Sequence, residues 1–347
     1  MRLSGWAAAV LLALMLSGCA GENRYGDFAL PPPAGVFGAA HPRITAPNPG
    51  AVMEPVAGAD SWEAVDVLNP SVVEFGGRLL NVYSGFDGKA WHTGVAASTD
   101  GGRRWERQGR VLSPTAAWEG HYIAANGSAL AHRGELLYWY QAGTPPRIGL
   151  ARSPDGRRWT KNPEPVLPVG PRGSWDERGV GDPYVIEAEG GALYMFFLGQ
   201  NRARQQRLGL ARSADGGATW TKLRSNPILE IGDEGTFDEN GLGEPAVWQS
   251  SGRWWMLYTG RDRHEVRRLG LAFSRDGRRW QRFTDAAVMT GAEAWNAKVV
   301  CDPTVLPPRQ PGGPWRIWYG GGDVAHPAEN IHGRIGYAEL TLAAPAQ

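Results

Sequence analysis

From about residue 50 onward the chain alternates short apolar runs with polar pairs and turn residues, and the alternation is periodic. An aromatic residue followed by Glu, Asp or Asn is succeeded, seven or eight positions later, by a second polar residue and then Pro or Gly. The copies are Trp62-Glu63 with Asn69-Pro70, Trp118-Glu119 with Asn126-Gly127, Trp175-Asp176 with Asp182-Pro183, Phe237-Asp238 with Glu244-Pro245, and Trp295-Asn296 with Asp302-Pro303. Counted from Asn69, the unit recurs after 57, 56, 62 and 58 residues, which is the spacing of a repeat architecture.

Each copy predicts the same elements. A short apolar strand follows the polar-Pro step, as in Tyr184-Val185-Ile186, because the first residue of a strand can do without a ladder donor. An aromatic-rich second strand comes next, at 79–83, 136–140, 193–197, 254–258 and 315–319. The third strand carries Gly94, Gly149, Gly209, Gly270 or Gly336, and five glycines in register predict a close approach of neighbouring backbone. Turns such as Ser213-Ala214-Asp215-Gly216 lead to a fourth strand opened by Trp105, Trp159, Trp220 or Trp280. The fifth unit stops after its third strand, while residues 51–55 precede Trp62 as the other fourth strands precede their aromatics. The expected fold is all-β: a five-bladed β-propeller with four-stranded blades, closed by an N-terminal strand that completes the C-terminal blade.

Composition agrees. The 347 residues include 48 Gly and 26 Pro, which excludes a long helical bundle, and 16 Trp with 42% hydrophobic residues exclude a disordered chain. A formal net charge of +1 gives no electrostatic case for nucleic acid as a partner. At the N-terminus, Arg2 and an apolar stretch over 7–16 end in Leu16-Ser17-Gly18-Cys19, which resembles a bacterial lipobox. The expected layout is a signal peptide at 1–18, lipidated Cys19 and a flexible tether over 19–49 containing Pro31-Pro32-Pro33, and the propeller over 50–347. Ala20 after the Cys favours attachment to the outer membrane, so the expectation is an exported, lipid-anchored monomer. With Cys19 lipidated, Cys301 has no disulfide partner; it precedes Asp302 on a strand and should point into packing between blades.

Five-fold repetition gathers Asn69, Asn126, Asp182, Glu244 and Asp302 into a ring at one end of the channel. The loops between second and third strands open on that face and bring Asp87, Trp91, His92, Gln200, Arg202, Arg261, His264, Asp323 and His326. Aromatic faces around a carboxylate-lined pit suit carbohydrate, so Trp62, Trp118 and Trp175 join Trp91, His92, Arg202, Arg261, His264, Asn69 and Asn126 as candidate sugar contacts. Like carboxylates converging on one channel raise at least one pKa, which prepares a general acid. The second polar series, Glu63, Glu119, Asp176, Asp238 and Asn296, reads as turn and packing chemistry. No residue spacing calls for a metal or cofactor.

These repeats resemble the five-bladed propeller glycosidases, the superfamily of family 43 glycoside hydrolases, levansucrases and invertases, over nearly the whole span from Val52 to Leu340. The resemblance implies a general acid at Glu244, the only Glu of the ring, and a pKa-tuning Asp at Asp182. It places the base or nucleophile at Asn126, whose amide can neither accept a proton nor attack an anomeric carbon. Asp182 and Asp302 flanking Glu244, or a base from Glu119, His121 or Asp87, would restore hydrolysis. Glycan binding without cleavage is the alternative. Lesser ones are a phosphorylase, with phosphate held by the arginines of the loop 261–268, and a sialidase, suggested by the Asp-box-like turns.

Overall fold

The computed structural model describes residues 23–35, 41–46, 49–58, 60–326 and 329–343. The signal peptide and Cys19 lie outside the described residues. The described chain is all-β, with two single-turn 3-10 helices. Strands β1 (Arg24–Gly26) and β2 (His41–Thr45) come first. Five antiparallel meanders follow. The first sheet is β3 (Asp66–Phe75), β4 (Arg78–Phe86), β5 (Trp91–Ser98) and β6 (Glu106–Leu112). The second is β7 (Ala124–His132), β8 (Glu135–Ala142), β9 (Arg147–Ser153) and β10 (Thr160–Lys161). The third is β11 (Gly179–Glu187), β12 (Leu193–Gln200), β13 (Gln206–Ser213) and β14 (Thr221–Leu223). The fourth is β15 (Gly241–Ser250), β16 (Arg253–Arg261), β17 (Arg267–Ser274) and β18 (Gln281–Arg282). The fifth is β19 (Val299–Leu306), β20 (Trp315–Gly322) and β21 (Arg334–Ala343), with β2 antiparallel to β21 as its outer strand.

The N-terminal segment thus supplies the fourth strand of the last sheet, but from His41–Thr45. The expected residues 51–55 contribute a bridge from Met53 to Ile335, equivalent to those of Leu167, Leu229 and Met289 in the other sheets. Part of the expected tether is no tether at all. β1 pairs in parallel with β14, Leu30 is buried against Gly277, and Trp254 Nε1 donates to the Pro31 carbonyl at 3.0 Å. The first strands pack in succession, β3 on β7, β7 on β11, β11 on β15, β15 on β19, and β19 on β3.

The repeated residues explain the sheets. The third-strand glycines face aromatic side chains, a correction to the expected backbone contact. A Cβ on Gly94 would stand 2.1 Å from the Trp62 ring, on Gly209 2.5 Å from Trp175, and on Gly336 2.4 Å from Tyr319. The second polar series is structural, as expected. Glu63 accepts from Tyr83 at 2.8 Å and Arg107 at 2.8 Å, Glu119 from Tyr140 at 2.6 Å and Lys161 at 2.8 Å, and Asp238 from Tyr258 at 3.0 Å and Arg282 at 2.8 Å. Asp176 pairs with Lys222 at 2.6 Å, and Asn296 meets Tyr319 at 3.3 Å. One ion pair per sheet ties the start of the unit to its outer strand, except in the fifth, where the acid is an amide.

Candidate active site

The step from polar residue to Pro is a β-bulge inside the first strand, not the strand's start. The ladder register shifts there in all five sheets, between Leu68 and Ser71, Ala125 and Ser128, Gly181 and Tyr184, Gly243 and Ala246, and Cys301 and Thr304. A bulge tolerates Pro because that residue has no partner to donate to. The ring residues take left-handed φ angles of 49° at Asn69, 51° at Asn126, 45° at Asp182, 50° at Glu244 and 51° at Asp302. Asn and Asp accept this conformation at little cost, and Glu does not. Glu244 therefore sits where a turn-forming residue would be cheaper.

The bulges aim all five side chains into one cavity of about 290 Å³. Each carboxylate is held by the backbone of the following sheet. The Glu244 N–H donates to Asp182, the Asp302 N–H to Glu244 Oε2 at 3.2 Å, and the Asn69 N–H to Asp302 Oδ2 at 3.2 Å. Cys301 Sγ also donates to Asp302 Oδ2, at 3.1 Å. Glu244, Cys301 and Asp302 each have an atom within 4.8 Å of the others, and among the described residues this is the group spaced to hold a metal. Burial, and then the charge of Glu244, push Asp182 up to about 7 against the opposing Arg261 and Arg267. The same two causes push Asp302 well above the usual carboxylate range. Asp302 Oδ1 is buried without a hydrogen-bond partner, so a proton there meets no competing donor.

Such a cluster weakens the fold as it ionises. The unfolded chain releases these protons near pH 4, whereas the folded chain still binds that of Asp182 up to about pH 7. Stability therefore falls as the pH rises through that window. Asp182→Asn keeps the acceptor for the Glu244 N–H and removes the buried charge that Asp182 takes on above pH about 7. It is expected to stabilise the protein by about 1–3 kcal/mol at pH 8 and to flatten the decline. Denaturant unfolding of both proteins between pH 5 and pH 8 checks this; a less stable variant at pH 8 would contradict it.

Several expected contacts fall elsewhere. Trp62 and Trp175 fill the space left by the glycines of their own sheets, and Trp118 packs on Tyr140 with the Arg147 guanidinium over its ring. His92 is buried between Asp87 and Ser113, Arg202 is exposed and pairs with Glu177, and His264 is exposed outside the cavity. Glu119 is taken by Lys161 and Asp87 by His92, and neither they nor His121 line the cavity. Cys301 is fully buried, as expected, but its thiol joins the carboxylates instead of pointing clear of them. Trp91, Asn69, Asn126 and Arg261 do line the cavity. Sequence reasoning missed Tyr122, Gln141 and Gln206, which also line it, as does Arg267, one of the loop arginines read as candidate phosphate holders. Gln141 closes a second strand, while Gln206 and Arg267 open third strands, so position along the repeat was the usable signal.

No protein-family model and no curated protein matches this chain. Solved structures do. A structure described as a glycoside hydrolase is 16% identical with a TM-score of 0.68, covering 88% of this chain and 94% of that one. A glycosyl hydrolase from Bacteroides ovatus is 18% identical with a TM-score of 0.67, covering 90% and 95%. A β-1,2-mannobiose phosphorylase from Listeria innocua, in complex with β-1,2-mannobiose, is 13% identical with a TM-score of 0.65, covering 86% and 96%. At these identities the likeness is one of fold, and the chain has the fold of these glycoside hydrolases and of the mannobiose phosphorylase.

Proposed function

We propose that the five sheets are the blades of a closed five-bladed propeller and that the chain is a glycosidase acting on oligo- or polysaccharide at the cavity mouth. The carrying observation is that three consecutive sheets bring Asp182, Glu244 and Asp302 together, each carboxylate fixed by the next sheet's backbone amide. A glycan-binding surface has no need of a buried cluster that retains protons at neutral pH; a general acid does. The proton belongs to the cluster as a whole. Glu244, between the two aspartates, delivers it to the leaving oxygen, Asp182 refills Glu244, and Asp302 remains neutral behind them. Tyr122, an exposed aromatic at the cavity wall, offers a ring face to the sugar, as befits carbohydrate. Export and lipidation at Cys19 form part of the proposal and rest on Leu16-Ser17-Gly18-Cys19.

The test is a pH profile of kcat/KM on aryl glycosides. The rate is expected to fall above pH about 7, as Asp182 loses its proton. Asp182→Asn is expected to displace that limb. A wild-type profile flat from pH 5 to 9 would overturn the role of Asp182, and failure of every glycoside in a broad panel to turn over would leave glycan binding as the function.

A further inference from the structure

Three turns between third and fourth strands, at 98–104, 153–158 and 274–279, share one plan. In each, an Asp carboxylate is held by the backbone N–H groups of two successive arginines. Asp100 accepts from Arg103 at 3.1 Å and Arg104 at 3.0 Å, Asp155 from Arg157 and Arg158 at 2.9 Å, and Asp276 from Arg278 at 2.9 Å and Arg279 at 3.3 Å. The acid fixes the main chain, and the guanidinium groups are left to solvent: Arg278 is half-buried and the other five are exposed. Arg103 pairs with Glu339 at 3.3 Å and Arg158 with Asp155 at 2.8 Å. Among the described residues the other four have no ion pair within 4.0 Å.

Alternate connections of a meander lie at opposite ends. The cavity is lined from the loops between second and third strands, by Trp91, Gln141, Gln206 and Arg261, so the arginine turns lie at the far end. Arg78, Arg133 and Arg309 join them there from turns between first and second strands. The acids of that end are largely engaged, Glu74 by Arg316 at 2.9 Å and Glu135 by Arg152 at 2.8 Å. Glu187 and Glu189 belong to the third sheet, the one whose turn lacks the arginine pair. With a formal charge of only +1 for the whole chain, this end is positive and the cavity end, with Asp182, Glu244 and Asp302, is its counterweight.

The gap in the arginine series is where the N-terminal segment lies. The third-sheet turn has Ala218-Thr219 in place of two arginines, and Arg24 Nη1 donates to Thr219 Oγ1 at 3.2 Å. Further along, the Leu30 N–H donates to the Asp276 carbonyl at 2.7 Å, and the Gly252 N–H to the Ala34 carbonyl at 3.1 Å, both in turns of the same end. Cys19 precedes Asn23 by four positions, and four residues of chain reach at most about 14 Å.

We infer that the arginine-bearing end is a membrane-docking surface that lies on anionic lipid headgroups and holds the cavity mouth away from the bilayer. Guanidinium groups pair with phosphate oxygens, and each basic side chain near an anionic leaflet adds to the attraction. A lipid chain and a basic patch together hold a protein that either alone holds weakly. Lipid is the occupant because the segment that leads back to Cys19 starts beside these turns. The inference goes beyond the glycosidase reading and does not depend on it.

The experiment is flotation of the whole chain carrying Cys19→Ala, so that no lipid is attached, with vesicles of phosphatidylcholine alone or with about 30% phosphatidylglycerol. At about 0.1 M salt the anionic vesicles are expected to bind about ten-fold or more tightly, and the preference to fade toward about 1 M. Replacing Arg104, Arg157, Arg278 and Arg279 together by Gln is expected to abolish most of it. Replacing Arg172, Arg178, Arg202 and Arg204 at the cavity end by Gln removes the same charge and is expected to keep it. Equal binding to both vesicles overturns the surface, and so does an equal loss in the two four-fold variants, which would reduce it to net charge. Orientation is read with a fluorophore on Ala214→Cys or Ala203→Cys, exposed positions at opposite ends of the third sheet; Cys301 is buried. Anionic vesicles are expected to blue-shift the first and not the second, and the reverse overturns the docking pose. This readout also decides the matter should the first four-fold variant melt early. Tighter binding of a single-stranded oligonucleotide than of anionic vesicles assigns the end to nucleic acid and overturns the membrane. Failure of every glycoside to turn over counts against the glycosidase and leaves these outcomes unchanged.

Discussion

Glu244→Gln is expected to lower kcat by about two to four orders of magnitude, the usual worth of a general acid, and to leave substrate binding nearly intact. The substitution is nearly isosteric, and its amide oxygen can still accept the Asp302 N–H that now reaches Glu244 Oε2 at 3.2 Å. What disappears is the group that passes the cluster's proton to the leaving oxygen, and with it the charge that raises both Asp182 and Asp302. The variant should therefore melt no lower than wild type, and Asp182 should titrate below its present value of about 7. Rates on a panel of aryl glycosides, thermal melts and carboxyl titration by NMR read these three effects separately. A kcat within about three-fold of wild type would remove Glu244 from the acid role. Loss of activity together with early melting would assign it to the fold instead.

The repeat was legible because one unit is written five times, so every element had five chances to show itself. The same redundancy made the ring residues findable before any coordinate. Their backbone state was not legible, since Pro after a polar residue suits a strand start as well as a bulge. Trp62 and Gly94 show where the reading went astray. The Trp was taken as a sugar platform and the Gly as a point of backbone contact, whereas they are two halves of one packing contact, the ring filling the space a Cβ would need. Both residues recur in register, which carried the clue. Arg267 was hidden for a different reason. In a loop of four arginines the sequence cannot tell which of them turn inward; the strand boundary at β17 decides it for Arg267. Likewise Leu30 and Pro31 look like tether until a glycine pocket at Gly277 and the Trp254 indole N–H are seen to receive them.

Lys222→Met is expected to destabilise the protein by about 3–5 kcal/mol, the usual result of removing one partner of a buried pair. Lys222 Nζ lies 2.6 Å from Asp176 Oδ2, both side chains are 1% exposed, and the ammonium also donates to the Pro168 carbonyl at 2.7 Å. Burial lowers the Lys222 pKa, and Asp176 opposes that shift, so the charge survives only because the pair is intact. Without the lysine, Asp176 keeps Ser174 Oγ at 2.8 Å and no cation. Denaturant melts at pH 7 measure the loss, and a difference under about 1 kcal/mol would show the pair to be dispensable. The double variant Asp176→Asn with Lys222→Met should recover most of the stability, because a neutral pair has no uncompensated charge to bury. The fifth sheet already has such an arrangement: Asn296 stands where the other sheets have Glu or Asp, meets Tyr319 at 3.3 Å, and is buried without a cation among its recorded partners. The ion pairs of the other four sheets are thus one of two solutions to the same packing problem, and the double variant converts the third sheet from one to the other.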